Sequence, residues 1–452
     1  MTMWRWRSTS FLIGFGAFMG FSALSSTATT LEFTFHKDVL PILQRKCQTC
    51  HRPGDIAPMP FLTYEQTRPW AKAIRSAVLR RVMPPWHADP EFGMFSNDRS
   101  LTSSETKKLV EWADNGAPEG SPADAPPPLK FAEGWRIGTP DLVYEMPKEF
   151  NVPATGTVPY QWIMIPTGFK EDTWVQAVEV RPGNRAVVHH AVVYAREEGA
   201  DWANGAPVGE FFNLFKAPPP RIKGNTMFSQ KREPEHLEVF APGADPVILK
   251  PGQARLIKAG SYIVFEIHYT PNGQAQSDRT SVGLIFAKQP PQERVRTIRI
   301  QNGVKIAIPP GEENYRVESR VSLLKDLKIV SFMPHMHLRG KAMEFRAIYP
   351  SGESEVLLSV PHYDFHWQMS YILSTPKALP KGTILVCVAA WDNSANNPNN
   401  PNPKAEVVGG LQSEEEMMAG FVELGIDPQS DSLDFFTDAP VPTQSEKRQS
   451  LK

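Results

Sequence analysis

Cysteine is scarce in this chain, with three in 452 residues. Three thiols cannot staple a domain, so any folded unit here must rest on an apolar core and not on a disulfide framework. Charge of one sign is equally lacking: 48 Lys and Arg stand against 49 Asp and Glu, a net charge of −1. With no basic stripe and no interleaving of basic and aromatic residues, nucleic acid is excluded as a partner. Long hydrophobic runs are short of what a membrane span needs. The apolar run from Phe11 to Leu24 falls below the roughly 20 residues that cross a bilayer.

That run has a different meaning. Arg5 and Arg7 precede it, and the small residues Ser25-Ser26-Thr27-Ala28-Thr29-Thr30 follow it, the order of a secretory signal over residues 1–30. The mature protein is then exported, periplasmic in a bacterium, with no stable membrane span. An uncleaved anchor is the other reading of the same segment.

Proline and glycine are plentiful, at 43 and 30 residues. They favour short elements punctuated by turns, and the length suggests about three domains. The expectation is a multidomain chain, all-α first and all-β afterwards.

Two of the three cysteines fall in Cys47-Gln48-Thr49-Cys50-His51. This spacing attaches a haem covalently through Cys47 and Cys50 and offers His51 as proximal iron ligand. Half of a zinc site is the alternative, but only His36 and His87 are near enough in sequence to complete it. Apolar residues at helical spacing surround the motif in Phe35–Leu43 and Leu109–Ala113, with a third amphipathic stretch from Tyr64 to Val82. The order resembles a class I cytochrome c over residues 31–122, binding one haem c. In that family a methionine followed by proline supplies the distal ligand. The resemblance implies Met83 in that role, with Met59, also followed by proline, as its rival.

Residues 123–145 open with Ala123-Asp124-Ala125-Pro126-Pro127-Pro128, a semi-rigid spacer by composition. Beyond it, five of the chain's eleven histidines gather as His189-His190, His268 and His335-Met336-His337. His335 and His337 follow a strand-like run, so alternation sends both to one side. His189 and His190 are neighbours, and a regular strand would send them to opposite faces. They can share one ion only if the strand is bulged there. Imidazoles suit copper, zinc or nickel, and a thioether selects Cu(I). Read singly, His268 is a core histidine, whereas a structural pair at His335 and His337 and a core methionine at Met417 are the alternatives to a ligand role. His362 and His366 fit pocket or surface roles equally, and His236 reads as solvated. Cys387 lies in an apolar strand, where buried packing is its role.

Taken in order, His189-His190, His268, His335-X-His337 and Glu416-Met417 resemble the copper type II, ascorbate-dependent monooxygenases. The resemblance implies two β-sandwich (jelly-roll-like) copper domains, here 146–292 and 293–435, joined near Pro290-Pro291, with a polar tail at 436–452. It implies an electron-relay copper on His189, His190 and His268, and an oxygen-binding copper on His335, His337 and Met417. The implied partners are O2, an organic substrate and a periplasmic electron donor, with electrons entering through the haem. In peptide-hydroxylating members an arginine, an asparagine and a tyrosine bind the peptide carboxylate. Met333, Ala419 and Phe421 stand in those places, so a peptide ending in glycine is a poor substrate expectation. A copper-binding or electron-transfer protein without hydroxylase activity is the alternative, and a non-catalytic binding protein a second one.

Overall fold

The computed structural model describes residues 33–440, apart from 201–202, 204, 214–233, 242, 302–305, 411 and 431–434. The segment 1–30 expected to be a signal, and the part of the expected tail from 441 on, lie outside the described residues.

Helices occupy the N-terminal part: a π-helical turn Phe35–Val39, then Leu40–Lys46, Tyr64–Thr67, Ala71–Leu79 and Ser103–Asp114. The long amphipathic stretch expected from Tyr64 is split by a 3₁₀ turn at Arg68–Trp70, because Pro69 has no backbone N–H to give to a continuing helix. Thr102 and Glu105 form a reciprocal capping box at the start of the last helix. Phe35, Leu43, Phe61, Leu109 and Trp112 make the small core.

Between Leu79 and Ser103 the chain leaves this unit and lies along the far β-domain. The Asp89 N–H donates to the Ser359 carbonyl (2.8 Å) and the Ser96 N–H to that of Ile372 (2.8 Å). Phe95 bridges Leu373, and Trp86, Phe95 and Tyr371 cluster with ring centroids 4.9–5.9 Å apart. The proline-rich stretch is therefore not the helical unit's one attachment. It is itself held, by Gln44 donating to the Pro127 carbonyl and by Arg52 over the Phe131 ring. The strand Leu142–Glu145 already begins within the segment that reads as linker.

Two β-sandwiches follow. In the first, the sheet Gln161–Pro166, Tyr262–Tyr269, Val188–Arg196, Glu235–Phe240 faces Leu142–Glu145, Ser281–Phe286, Thr173–Arg181, Gln253–Ile257. Val178, Leu284, Phe265 and Val193 meet between them. In the second, Glu293–Ile300, Ala419–Ile426, Leu327–His335, Tyr371–Leu379 faces a five-stranded sheet that ends on Phe436–Asp438. Phe332, Phe345, Leu358 and Cys387 fill its core, so Cys387 packs as expected, and the last strand enters the stretch that reads as tail.

The two sandwiches share a sheet. Glu293 and Arg294 pair in parallel with Gln253 and Ala254, making one nine-stranded sheet across the junction. Buried charges line the seam: Glu235 of the first sandwich accepts from Arg294 (2.8 Å) and Arg296 (2.9 Å) of the second, and Arg255 pairs with Glu423. Truncating one partner in such a cluster strands a buried charge, which makes the seam intolerant of sliding.

Candidate metal centre

Strand Val188–Arg196 pairs with Tyr262–Tyr269, and its register jumps between Val188 and His190, placing His190 opposite His268. The extra residue is His189. This bulge breaks the two-residue alternation and brings both neighbouring imidazoles to one side. Ligand atoms of His189, His190 and His268 all lie within 4.8 Å of one another. Burial lowers the pKa of His189 and His268 to about 4 and holds that of His190 well below its usual value, the last helped by its imidazole neighbours. Neutral rings are the form that ligates a metal. Tyr160 stacks on His268 at 4.8 Å, and Nδ1 of His268 is buried without a hydrogen-bond partner. Three neutral nitrogens around a shared point, one of them orphaned, form a donor set that fits copper.

His335 ends its strand and His337 follows it. Their rings are 5.3 Å apart and nearly perpendicular, whereas Met336 between them is buried in the sandwich core. Nδ1–H of His335 donates to Oε1 of Gln368 (2.6 Å), and Nδ1–H of His337 donates to the Glu415 carbonyl (3.2 Å). Each ring thereby keeps Nε2 as its lone-pair donor. Burial holds both neutral, lowering His335 to about 4 and His337 to about 3.

Glu416 anchors this corner. Fully buried, it accepts from the backbone N–H of His337 (3.0 Å) and of Arg339 (2.7 Å) and from the Trp391 indole (2.9 Å). Burial pushes its carboxyl up to about 7. Met417 comes next, half-buried, two residues before Ala419, the cross-strand partner of His335. The chain thus leads Met417 past both histidines.

The two sets are close. Phe365 packs against His189 (centroids 5.3 Å) and His337 (6.4 Å), and His335 and His337 are among the groups that disfavour a proton on His190. His366 is exposed, with its ring 6.3 Å from His189, and His362 is exposed. His236 differs from its solvated reading. Its ring lies between Tyr194 (4.6 Å) and Phe421 (5.3 Å), and burial takes its pKa to about 3. The seam between the sandwiches, invisible to local sequence patterns, encloses it. His236, Arg255, Met333, Gln368, Phe421 and Trp86 line a cavity of about 240 Å³ there.

In the helical unit, Nδ1–H of His51 donates to the Met59 carbonyl (3.0 Å), leaving Nε2 free, and the ring stacks on Phe61 at 4.3 Å. Cys47 and Cys50 are free thiols, with Cys47 raised to about 12 by burial. The trio of two unpaired thiols and an oriented imidazole fits covalent haem. Met59 is tied through its carbonyl to the His51 imidazole, and Met83, half-buried, lies past the helix Ala71–Leu79.

Sequence reasoning passed over Gln368, Tyr160 and Phe365, which carry no motif and reach the histidines from distant strands and loops. Glu416 was legible only as the residue before Met417.

Residues 296–424 match the family model for the copper type II ascorbate-dependent monooxygenase, C-terminal domain. Among curated proteins, MOXD1 homolog 1 of Drosophila melanogaster is 26% identical over 202 residues, covering 41% of this chain and 27% of that protein. The chain thus spans about a quarter of the relative it matches. Among solved structures, an infectious bursal disease virus VP2 subviral particle matches at 10% identity, covering 64% of this chain and 72% of that one, with a TM-score of 0.18. The Gx strain of the same virus matches at 7% identity, covering 65% and 74%, with a TM-score of 0.19. Superposition at that level carries no argument. The family match and the histidine cluster support copper and a monooxygenase-like chemistry on a β-sandwich frame.

Proposed function

We propose that this protein is an exported haem- and copper-containing monooxygenase that hydroxylates a C–H bond of an organic substrate with O2, electrons passing from haem c to a two-copper site. His189, His190 and His268 would hold the relay copper, and His335, His337 and Met417 the copper facing oxygen. Cys47, Cys50 and His51 would hold the haem, with Met83 as its distal ligand. The observation that carries the reading is the bulge at His189, which gathers three imidazoles within 4.8 Å beside the His335 and His337 pair. Export rests on the N-terminal signal pattern. Among the described residues no helix is long and apolar enough to cross a membrane.

Copper bound at the two sets supplies the one-electron steps that oxygen activation needs. The chain's own groups do the rest. Five neutral imidazoles, those of His190 and His337 buried and those of His189, His268 and His335 half-buried, present nitrogen donors without adding negative charge. The Gln368 side chain and the Glu415 carbonyl fix which nitrogen of His335 and His337 points at the metal. Met417 adds a soft donor that favours the reduced ion. The cavity beside Gln368 and Phe421 receives substrate. Met333, Trp86 and Phe421 suit a hydrocarbon surface, and Arg255 with Glu423 gives hydrogen-bonding groups at the wall. No carboxylate-binding arginine stands at 333, so a substrate anchored by apolar contact is favoured.

The test is metal analysis joined to product analysis. The full chain should carry one iron and two coppers, and oxygen uptake should match hydroxylated product when candidate substrates are supplied. Two coppers with no oxygen consumed under reducing conditions would transfer the assignment to a copper-binding or electron-transfer protein without hydroxylase activity.

A further inference from the structure

The two histidine sets belong to different sandwiches, yet one loop touches both. Residues 361–370 connect the strand Ser354–Val360 to the strand Tyr371–Leu379. Phe365, buried at 5% exposure, lays its ring nearly parallel to His189, with centroids 5.3 Å apart at 20°. It meets His337 edge-on at 6.4 Å and 84°. One aromatic ring therefore separates a ligand of one set from a ligand of the other.

The loop that carries the ring is tied down at several points. Gln368, which accepts the Nδ1–H of His335, donates its Nε2–H to the Phe365 carbonyl (3.1 Å). Tyr363 accepts from the Met336 N–H (3.1 Å) and donates to the Met336 carbonyl (2.7 Å), which ties the loop to the residue between His335 and His337. The Trp367 N–H donates to the Asp364 carbonyl (3.0 Å), and the Trp367 ring presses on Gly243 of the first sandwich. The loop is thus anchored on the second sandwich and braced against the first.

Phenylalanine has no donor atom for a metal and no hydrogen bond to offer water. Its ring fills the space between His189 and His337 with apolar atoms, with the exposed His366 at its edge. A smaller side chain would leave room for water beside these polar imidazoles.

We propose, on the two-copper reading above, that Phe365 is a positioning residue that fixes the ligand rings on either side of the gap, and so sets the separation of the two sites within the frame that the shared sheet and charged seam already hold, and that it keeps water out of the gap. Its removal lets His189 and His337 shift locally and broadens that separation while each site keeps its own ligands.

Pulsed EPR on the full-length chain loaded with Cu(II) reads this separation directly, through the dipolar coupling between the two copper spins. Wild type should give a single narrow Cu–Cu distance. Phe365→Ala should give a longer and broader distribution with the hyperfine pattern of each copper unchanged, and Phe365→Tyr should restore the narrow one. Phe365→Leu, which keeps most of the volume, serves if the alanine variant fails to fold and should broaden the distribution to a lesser extent. A Phe365→Ala or Phe365→Leu distribution identical to wild type overturns the spacer role while leaving the two-copper reading intact. A wild-type chain that binds fewer than two Cu(II) ions, or shows no dipolar coupling, overturns the two-copper reading and the spacer role with it.

Discussion

Nδ1 of His335 stands 2.6 Å from Oε1 of Gln368, a residue thirty-three positions away that also lines the cavity between the sandwiches. The contact fixes the tautomer of His335 and the plane of its ring, so the free Nε2 has one direction. It also couples the ligand to the chamber proposed for substrate.

Gln368→Ala should weaken copper at the His335–His337 site by roughly 10–100-fold, the usual cost of losing an outer-shell partner. The three-histidine site should keep its affinity. Competitive copper titration followed site by site checks this, and equal loss at both sites would contradict the assignment.

His268→Ala should lower bound copper from two ions per chain to one. His190 would lose its cross-strand partner, and two imidazoles alone bind copper far less tightly than three. Unfolding and metal analysis on the same sample separate lost metal from a lost fold. Two tightly held coppers in this variant would remove the three-histidine site from the account.

Glu416 satisfies three buried donors, the N–H groups of His337 and Arg339 and the Trp391 indole. Leaving buried donors without an acceptor costs about 1–3 kcal/mol each, so Glu416→Ala should destabilise the protein by about 3 kcal/mol or more. Glu416→Gln, which retains one acceptor oxygen, should lose less. Denaturant unfolding with unchanged m-value is the measurement; a loss under 1 kcal/mol for the alanine variant would contradict this role.

His236 gives a pH test that avoids the metal ligands. Its folded pKa is about 3 because of burial, reinforced by the nearby Arg299, Arg255 and Arg296, whereas an unfolded histidine titrates near ~6.5. Between those values the unfolded chain binds a proton that the folded one refuses. The contribution to stability is therefore full above the unfolded pKa and is lost as pH falls from ~6.5 toward 3. His236→Phe should flatten the acid limb of the stability profile by up to about one proton in slope, and an unchanged limb would place His236 in water.

Much of this was legible in the chain, and the reasons differ from residue to residue. Alternation along the strand that ends at His335 points His335 and His337 to one side, and a bulge is the condition on which His189 and His190 could share an ion, which the register at His189 meets. The seam was not legible. Arg255 meets Glu423 and Glu235 meets Arg294 and Arg296 across separate sandwiches, and no local period encodes such pairings. His236 reads as solvated for that reason, standing between Glu235 and Leu237 in sequence but between Tyr194 and Phe421 in space. The stretch from Trp86 to Asn97 falls within the span 31–122 read as one helical unit, yet its apolar side chains find Tyr371 and Leu373. Phe365 carries no signature because any buried phenylalanine looks alike until its neighbours are known.

The most direct test follows electrons from one end of the chain to the other. The protein loaded with haem and copper is reduced without oxygen and mixed with O2 while the haem absorption is recorded, with parallel runs on copper-free protein and on Met417→Ala. Rapid haem reoxidation that needs both copper and Met417 is the predicted result. Reoxidation that proceeds equally well without copper would contradict the proposed coupling of haem to an oxygen-activating copper site.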